Sequence, residues 1–183
     1  PDDDSNVPVI LLHGVRDDPA HITAASLGKA LLNYLGDQHG SLWWGGYGIS
    51  TEHTAYLNLK SGIPAPLSGS MVLNGETVSE QIGGQIFSDL WGWLNPGQPP
   101  KAAEYARKAS SVTHDGNGVY GGMFVAALVS AAFGESDPQR LVETGLTVIP
   151  VDSEYARVVR AVLDFYRQAP EDWRACYSLI YKN

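Results

Sequence analysis

The sequence predicts an all-α fold, a single domain over residues 1–183, and three observations predict it. Most segments carry apolar residues at helical spacing, cap signals stand where those segments begin, and no stretch alternates as a half-buried strand does. With 183 residues, 44% hydrophobic and 17% charged, the chain is long enough to bury a core.

The elements follow in order. An apolar stretch from Val7 to Val15 succeeds the acidic run Asp2-Asp3-Asp4-Ser5 and reads as the first helix. Thr23 is the N-cap of the next, whose Leu27, Ala30, Leu31, Tyr34 and Leu35 share one face. Ser50-Thr51-Glu52-His53 reads as a helix start. Thr77-Val78-Ser79-Glu80 reads as a capping box opening a helix that carries Ile82, Ile86, Phe87 and Leu90. Val119 to Phe133 is apolar nearly all round, the mark of a central buried helix. Its Gly121-Gly122 pair fits either close helix packing or a ligand near the helix start. Asp137-Pro138 caps a helix with Leu141, Val142 and Leu146, and Asp152-Ser153 starts another that runs to Pro170. A last helix starts near Glu171. Residues 62–76 and 95–100 are rich in proline and glycine and read as loops.

Charge and composition narrow the function. The net charge is −8 and the 12 basic residues are scattered, which argues against nucleic acid as a partner but not against a nucleotide-containing ligand. The single cysteine, Cys176, makes no internal disulfide and points to a reducing compartment, the cytoplasm. The longest apolar run, Met123 to Phe133, is interrupted by Ser130 and is too short to span a membrane. The chain opens at Pro1 and stops at Asn183 with no start methionine or closing signal, and we read it as part of a longer protein, truncated at both ends.

Four segments can carry chemistry. Leu42 to Ser50 sets three aromatics among three glycines, including Trp44, Gly45 and Gly46. It is either a packed loop or a pocket in which flat rings face a base or sugar. Asp2, Asp3 and Asp4 either cap the first helix or offer hard oxygen ligands to Mg²⁺ at a loop-to-helix junction. A two-ion site needs further acids, and no second tight acidic cluster follows. His114 and Asp115 lie in a glycine-rich turn whose helix start could present N–H groups to phosphate or ribose oxygens, with Asp115 orienting the histidine. Ser68-Gly69-Ser70 is the fourth. Val7 to Gly14, an apolar run ending in His-Gly, invites an α/β-hydrolase reading, but the chain has no Gly-x-Ser-x-Gly elbow.

Taken together these segments resemble the ADP-ribosylglycohydrolase family, in particular its bacterial members. The resemblance covers nearly the whole chain and rests on residues 1–6, 42–48, 50–56, 62–66, 80–87 and 111–116 in that order. It implies an all-α bundle with a binuclear Mg²⁺ site, hydrolysing the bond between ADP-ribose and an acceptor. Asp2-Asp3-Asp4-Ser5 matches the family's Thr-Asp-Asp-Thr motif, with Asp2 in place of the threonine. That implies Asp2, Asp3 and Asp4 as metal ligands, with Asp3 and Asp4 carrying catalysis. Trp44, Gly45, Gly46, Ser68, Gly69, Ser70, Gly83, Gly84, His114 and Asp115 are then expected around the ADP-ribose. The family's second metal motif, Asp-x-Asp-Ser/Thr, and its opening glycine-rich helix have no match here. The competing expectation is therefore a non-catalytic ADP-ribose or nucleotide binder with an incomplete metal site. The identity of the acceptor is not readable from these residues.

Overall fold

The computed structural model describes residues 3–39 and 42–182, and these form helices with no strand among them. Helix α1 (Asp3–Asp17) begins with two aspartates at its positive end, where carboxylates are favoured. It buries Val7, Ile10 and Leu11. Gly14 lets α1 approach α2 (Ala24–Tyr34) closely, since a Cβ there would lie 2.8 Å from that of Ala30. Thr23 caps α2 in a box closed by Ser26, and Leu27, Ala30, Leu31 and Leu35 are buried as expected. Tyr34 stays at the surface, its hydroxyl bonded to Asp17.

Helix α3 (Thr51–Lys60) is unusual because its buried positions are mostly polar: Thr51, Glu52, His53, Thr54 and Asn58. Such groups persist inside a protein only when paired or functional.

The stretch expected to be one helix from the Thr77 capping box is instead a chain of short turns. These are α5 (Glu76–Ser79), α6 (Gly83–Ile86) and α7 (Asp89–Leu94), and the stretch before them that read as a loop holds a 3-10 turn at Leu67–Gly69 and α4 (Met71–Asn74). No side chain caps α5, and Ile82 faces solvent rather than the core. The physical reason lies at Gly83-Gly84. Two glycines weaken a helix, and tertiary partners satisfy the backbone that the helix gives up. The Gly84 N–H donates to His114 Nε2 at 3.0 Å, and its carbonyl accepts from the hydroxyls of Ser88 (2.8 Å) and Ser110 (3.1 Å).

Helix α8 (Pro99–Ser110) starts on two prolines, where the missing N–H costs nothing, and buries Ala102, Ala103, Ala106 and Ala109. It lies against α9 (Gly116–Ala131), the centre of the molecule, which also touches α6, α7, α10 (Pro138–Leu146) and α11 (Glu154–Gln168). Two apolar clusters flank α9. One joins α1, α2, α3, α7 and α8, and the other gathers Phe124, Ile149, Ala156, Val142 and Val159. A helix with core on both sides needs apolar residues all round. Asp137 and Ser153 cap α10 and α11 as expected, and α12 (Trp173–Lys182) begins two residues after Glu171.

The glycine pair in α9 is explained by packing. A Cβ on Gly122 would lie within 3.0 Å of Ser110 Oγ, Gly84 O and Ser88 Oγ, and one on Gly121 would press on Tyr155 and Gln85.

Candidate functional site

The first turn of α3 organises the site. The Ser50 hydroxyl accepts from the His53 N–H at 3.2 Å and donates to Trp43 O at 2.5 Å. This cap holds the aromatic loop against the helix. The Gly46 N–H donates to His53 Nδ1 (3.1 Å) and the Gly48 N–H to Thr54 Oγ1 (2.9 Å), both glycines at positive φ that side chains resist. Trp44 packs edge-on to His53 and Tyr56, with centroids 4.9 and 5.4 Å away. Gly45 faces the Trp43 ring so closely that a Cβ would lie 2.7 Å from it. The amides of Gly46 and Gly48 are thus tied back to α3. Trp43 and Tyr47 remain exposed, and the Trp44 Nε1 has no hydrogen-bond partner.

Glu52 points inward from this turn and is only 5% exposed. Its Oε1 lies 3.5 Å from His114 Nε2, and its side chain fills the space where a Cβ of Gly83 would stand. The contact with His114 has the spacing of an ion pair but not its chemistry. His114 is fully buried, and burial pushes its imidazole from the ordinary 6.5 down to about 3. Its Nε2 accepts the Gly84 N–H, so the neutral ring carries its proton on Nδ1, 2.7 Å from Thr113 Oγ1. Burial first, and the charge of Asp3 after it, hold the Glu52 carboxyl above the usual range. Two groups that both resist charging face each other.

At the start of α1, Asp3 is half-buried and Asp4 exposed. Asp3 lies close enough to raise Glu52, and Asp4 close enough to raise Asp89, where burial is again the larger cause. Asp2 lies outside the described residues. The structure therefore gathers Asp3, Gly83, Gly84, His114 and Trp44 around the first turn of α3. Sequence reasoning did not single out Glu52 or Asp89 as site residues. The available signal for Glu52 was a helix with too many polar residues on its buried face.

The start of α9 is filled by the protein's own carboxylates. Asp115 accepts from the Gly116 N–H (2.8 Å) and, through its other oxygen, from the Met71 N–H (2.9 Å). Glu80 accepts from the Asn117 N–H at 2.6 Å. The amides expected to meet phosphate are engaged here, and Asp115 caps two helices rather than orienting His114. Ser68 is buried and donates to Val112 O at 2.7 Å, while Gly69 packs on the backbone of Thr113 and His114. Ser70 lines a shallow surface pocket of about 330 Å³ with Pro64, Leu67, Ser111 and Asp115.

The class defined so far is an all-α domain with paired carboxylates set around a buried, neutral histidine. Comparison with known proteins supplies the rest. The family model described as ADP-ribosylglycohydrolase matches residues 2–182, and the chain belongs to that family, whose activity is hydrolysis of ADP-ribose linkages. No curated protein and no solved structure matches the chain. No helix among the described residues is long and apolar enough to cross a membrane.

The family resemblance implies bound Mg²⁺, and the residues can be tested against it. Aspartate and glutamate oxygens are the donor type that such a hard cation takes. The charge of Asp3 helps raise Glu52 and that of Asp4 helps raise Asp89, so a cation nearby would relieve both buried carboxyls. Among the described residues, however, no three His, Cys, Asp or Glu side chains converge into a finished cage. The donor chemistry fits, and the cage is not closed.

Proposed function

We propose that this protein hydrolyses an ADP-ribosyl linkage in a Mg²⁺-dependent reaction that releases ADP-ribose. The observation that carries the reading is Asp3 at the α1 start, whose charge reaches Glu52 beside His114, in a chain matched by the family over residues 2–182. Departure of the acceptor from the ribose anomeric carbon leaves oxocarbenium-like positive charge. Asp3 and Asp4 are assigned to stabilise that charge, and they are also the residues that would hold the metal. Bound Mg²⁺ would orient ribose hydroxyls and lower the pKa of a water. Trp44 offers a flat wall, and the exposed Trp43 and Tyr47 rings can reach the ligand from the same loop. An ADP-ribosylated molecule is the partner this chemistry requires.

The test is release of ADP-ribose from ADP-ribosylated protein, peptide and small-molecule substrates, with and without Mg²⁺. We expect turnover that Asp3→Asn lowers by about a hundredfold or more, an electrostatic loss of about 3 kcal/mol in the barrier. Absence of turnover on every linkage removes the enzyme.

One observation favours a second reading, an ADP-ribose binder without turnover: among the described residues no three His, Cys, Asp or Glu side chains converge on a metal. That reading requires calorimetric binding of ADP-ribose in a protein that releases none.

A further inference from the structure

Asn58 is a buried polar group of α3 that the reaction does not use, and it is only 3% exposed. An amide inside a protein has two N–H donors and an oxygen to satisfy. Here the nitrogen donates to Ser68 O and to Asn74 Oδ1, both at 2.9 Å, and the oxygen accepts from the Tyr47 hydroxyl at 3.2 Å. Asn74 donates to the same Ser68 carbonyl at 2.8 Å. A carbonyl can only accept, so it fixes which end of each amide is the nitrogen.

These partners lie in separate segments. Tyr47 belongs to the aromatic-glycine loop, Ser68 to the turn whose Gly69 packs on Thr113 and His114, and Asn74 to α4. The Ser68 hydroxyl carries the connection on to Val112 O at 2.7 Å. Directly or through Ser68, one buried amide joins the three segments whose residue types suit a ligand.

Tyr47 is the telling partner. It is 58% exposed, yet its hydroxyl, the part that water solvates best, turns inward to Asn58. The glycines on either side of it are fixed as well, Gly46 N–H on His53 Nδ1 and Gly48 N–H on Thr54 Oγ1. Thr54 and Asn58 stand four residues apart, on one face of α3. A single helix thus holds the tyrosine by its backbone and by its tip, and leaves the ring open to solvent. A ring ordered before its ligand arrives spares binding that ordering cost, and the saving appears as affinity.

We propose that Asn58 is a positioning residue: through the hydroxyl it fixes the Tyr47 ring as a preformed wall for a flat ring of the ADP-ribosyl ligand. Asn58 itself touches no ligand. The proposal rests on the reading of this site as one for ADP-ribose.

The experiment compares wild type, Tyr47→Phe, Asn58→Ala, the double variant and the control Tyr166→Phe, an exposed tyrosine on α11. Calorimetry gives the Kd of ADP-ribose, an ADP-ribosylated peptide gives kcat and KM, and thermal melting gives stability. Tyr47→Phe removes one bond and keeps the ring. We expect it to raise Kd and KM about three- to tenfold, with kcat within about twofold and the melting temperature unchanged. Asn58→Ala should raise Kd at least as much, and adding Tyr47→Phe to it should cost nothing further. The control should match the wild type. Wild-type Kd in Tyr47→Phe overturns the proposal, as does a full second loss in the double variant. A melting temperature lowered by Asn58→Ala with Kd unchanged shows that the amide only fastens Ser68 and α4, and overturns it too. Should Asn58→Ala fail to fold, Tyr47→Phe decides alone. A wild type that binds ADP-ribose without turnover sinks hydrolysis and leaves the Kd test standing, whereas one that binds none sinks both.

Discussion

Replacing Gly122 by alanine tests the packing at the heart of the molecule, because two principles give opposite signs. In a helix interior Gly→Ala stabilises by about 1 kcal/mol through lower backbone entropy and better propensity. At Gly122, however, the new methyl would lie within 3.0 Å of Ser110 Oγ, Gly84 O and Ser88 Oγ at once. One of these is backbone, and both hydroxyls are held by their bonds to that same carbonyl, so none can swing aside freely. Overpacking of this kind costs typically 1–3 kcal/mol, and here the two hydrogen bonds to Gly84 O, each worth about 1 kcal/mol, are also disturbed. The net expectation is a loss of about 1–3 kcal/mol, or a fall of roughly 3–10 °C in melting temperature for a chain of this size. Gly134→Ala is the internal control: no atom lies within 4 Å of its added Cβ, so it should be neutral or slightly stabilising. Urea unfolding and thermal melts of both variants measure the difference. A Gly122→Ala protein as stable as the wild type would mean that α9 does not sit against α6 and α8 as described.

Two further outcomes follow from the same geometry. His114 titrates near 6.5 when unfolded and about 3 when folded, so between those values the unfolded state binds the extra proton. Stability from this group is therefore full above pH 6.5 and lost as pH falls towards 3, about 3 kcal/mol by pH 4. His114→Gln should flatten urea midpoints across that window, and an unchanged acid slope refutes the buried neutral ring. At α11, the Ser153 hydroxyl accepts the Ala156 N–H at 3.2 Å, so Ser153→Ala should cost about 1 kcal/mol in urea unfolding. No measurable change there would mean that the cap is dispensable.

Much of the fold was legible because it is local. Thr23, Asp137 and Ser153 announce their helices by chemistry that acts within four residues. Val119 to Phe133 declares its burial by having no polar face. Helix α8 was less visible, since its buried side is a row of alanines that hardly registers as an apolar stripe. The segment around Gly83-Gly84 misled for a related reason. Its spacing is helical, but its hydrogen-bond partners come from Ser88, Ser110 and His114, the last of them 30 residues away. Periodicity cannot register a bond of that span.

The site divides along the same line. The aspartates, the aromatic-glycine loop and the His114 turn could be picked out by residue type, and the family by their order. Which acids face one another could not. Asp3 and Glu52 are 49 positions apart and Asp4 and Asp89 are 85 apart, and only the tertiary fold decides that the charge of the first raises the second. The sequence by itself determined helices, caps and the inventory of carboxylates, since those depend on neighbours along the chain. Tertiary structure alone decided which of those carboxylates share a charge, which helix start is sealed, and that the histidine is neutral, because desolvation and Coulomb energy depend on distance in space.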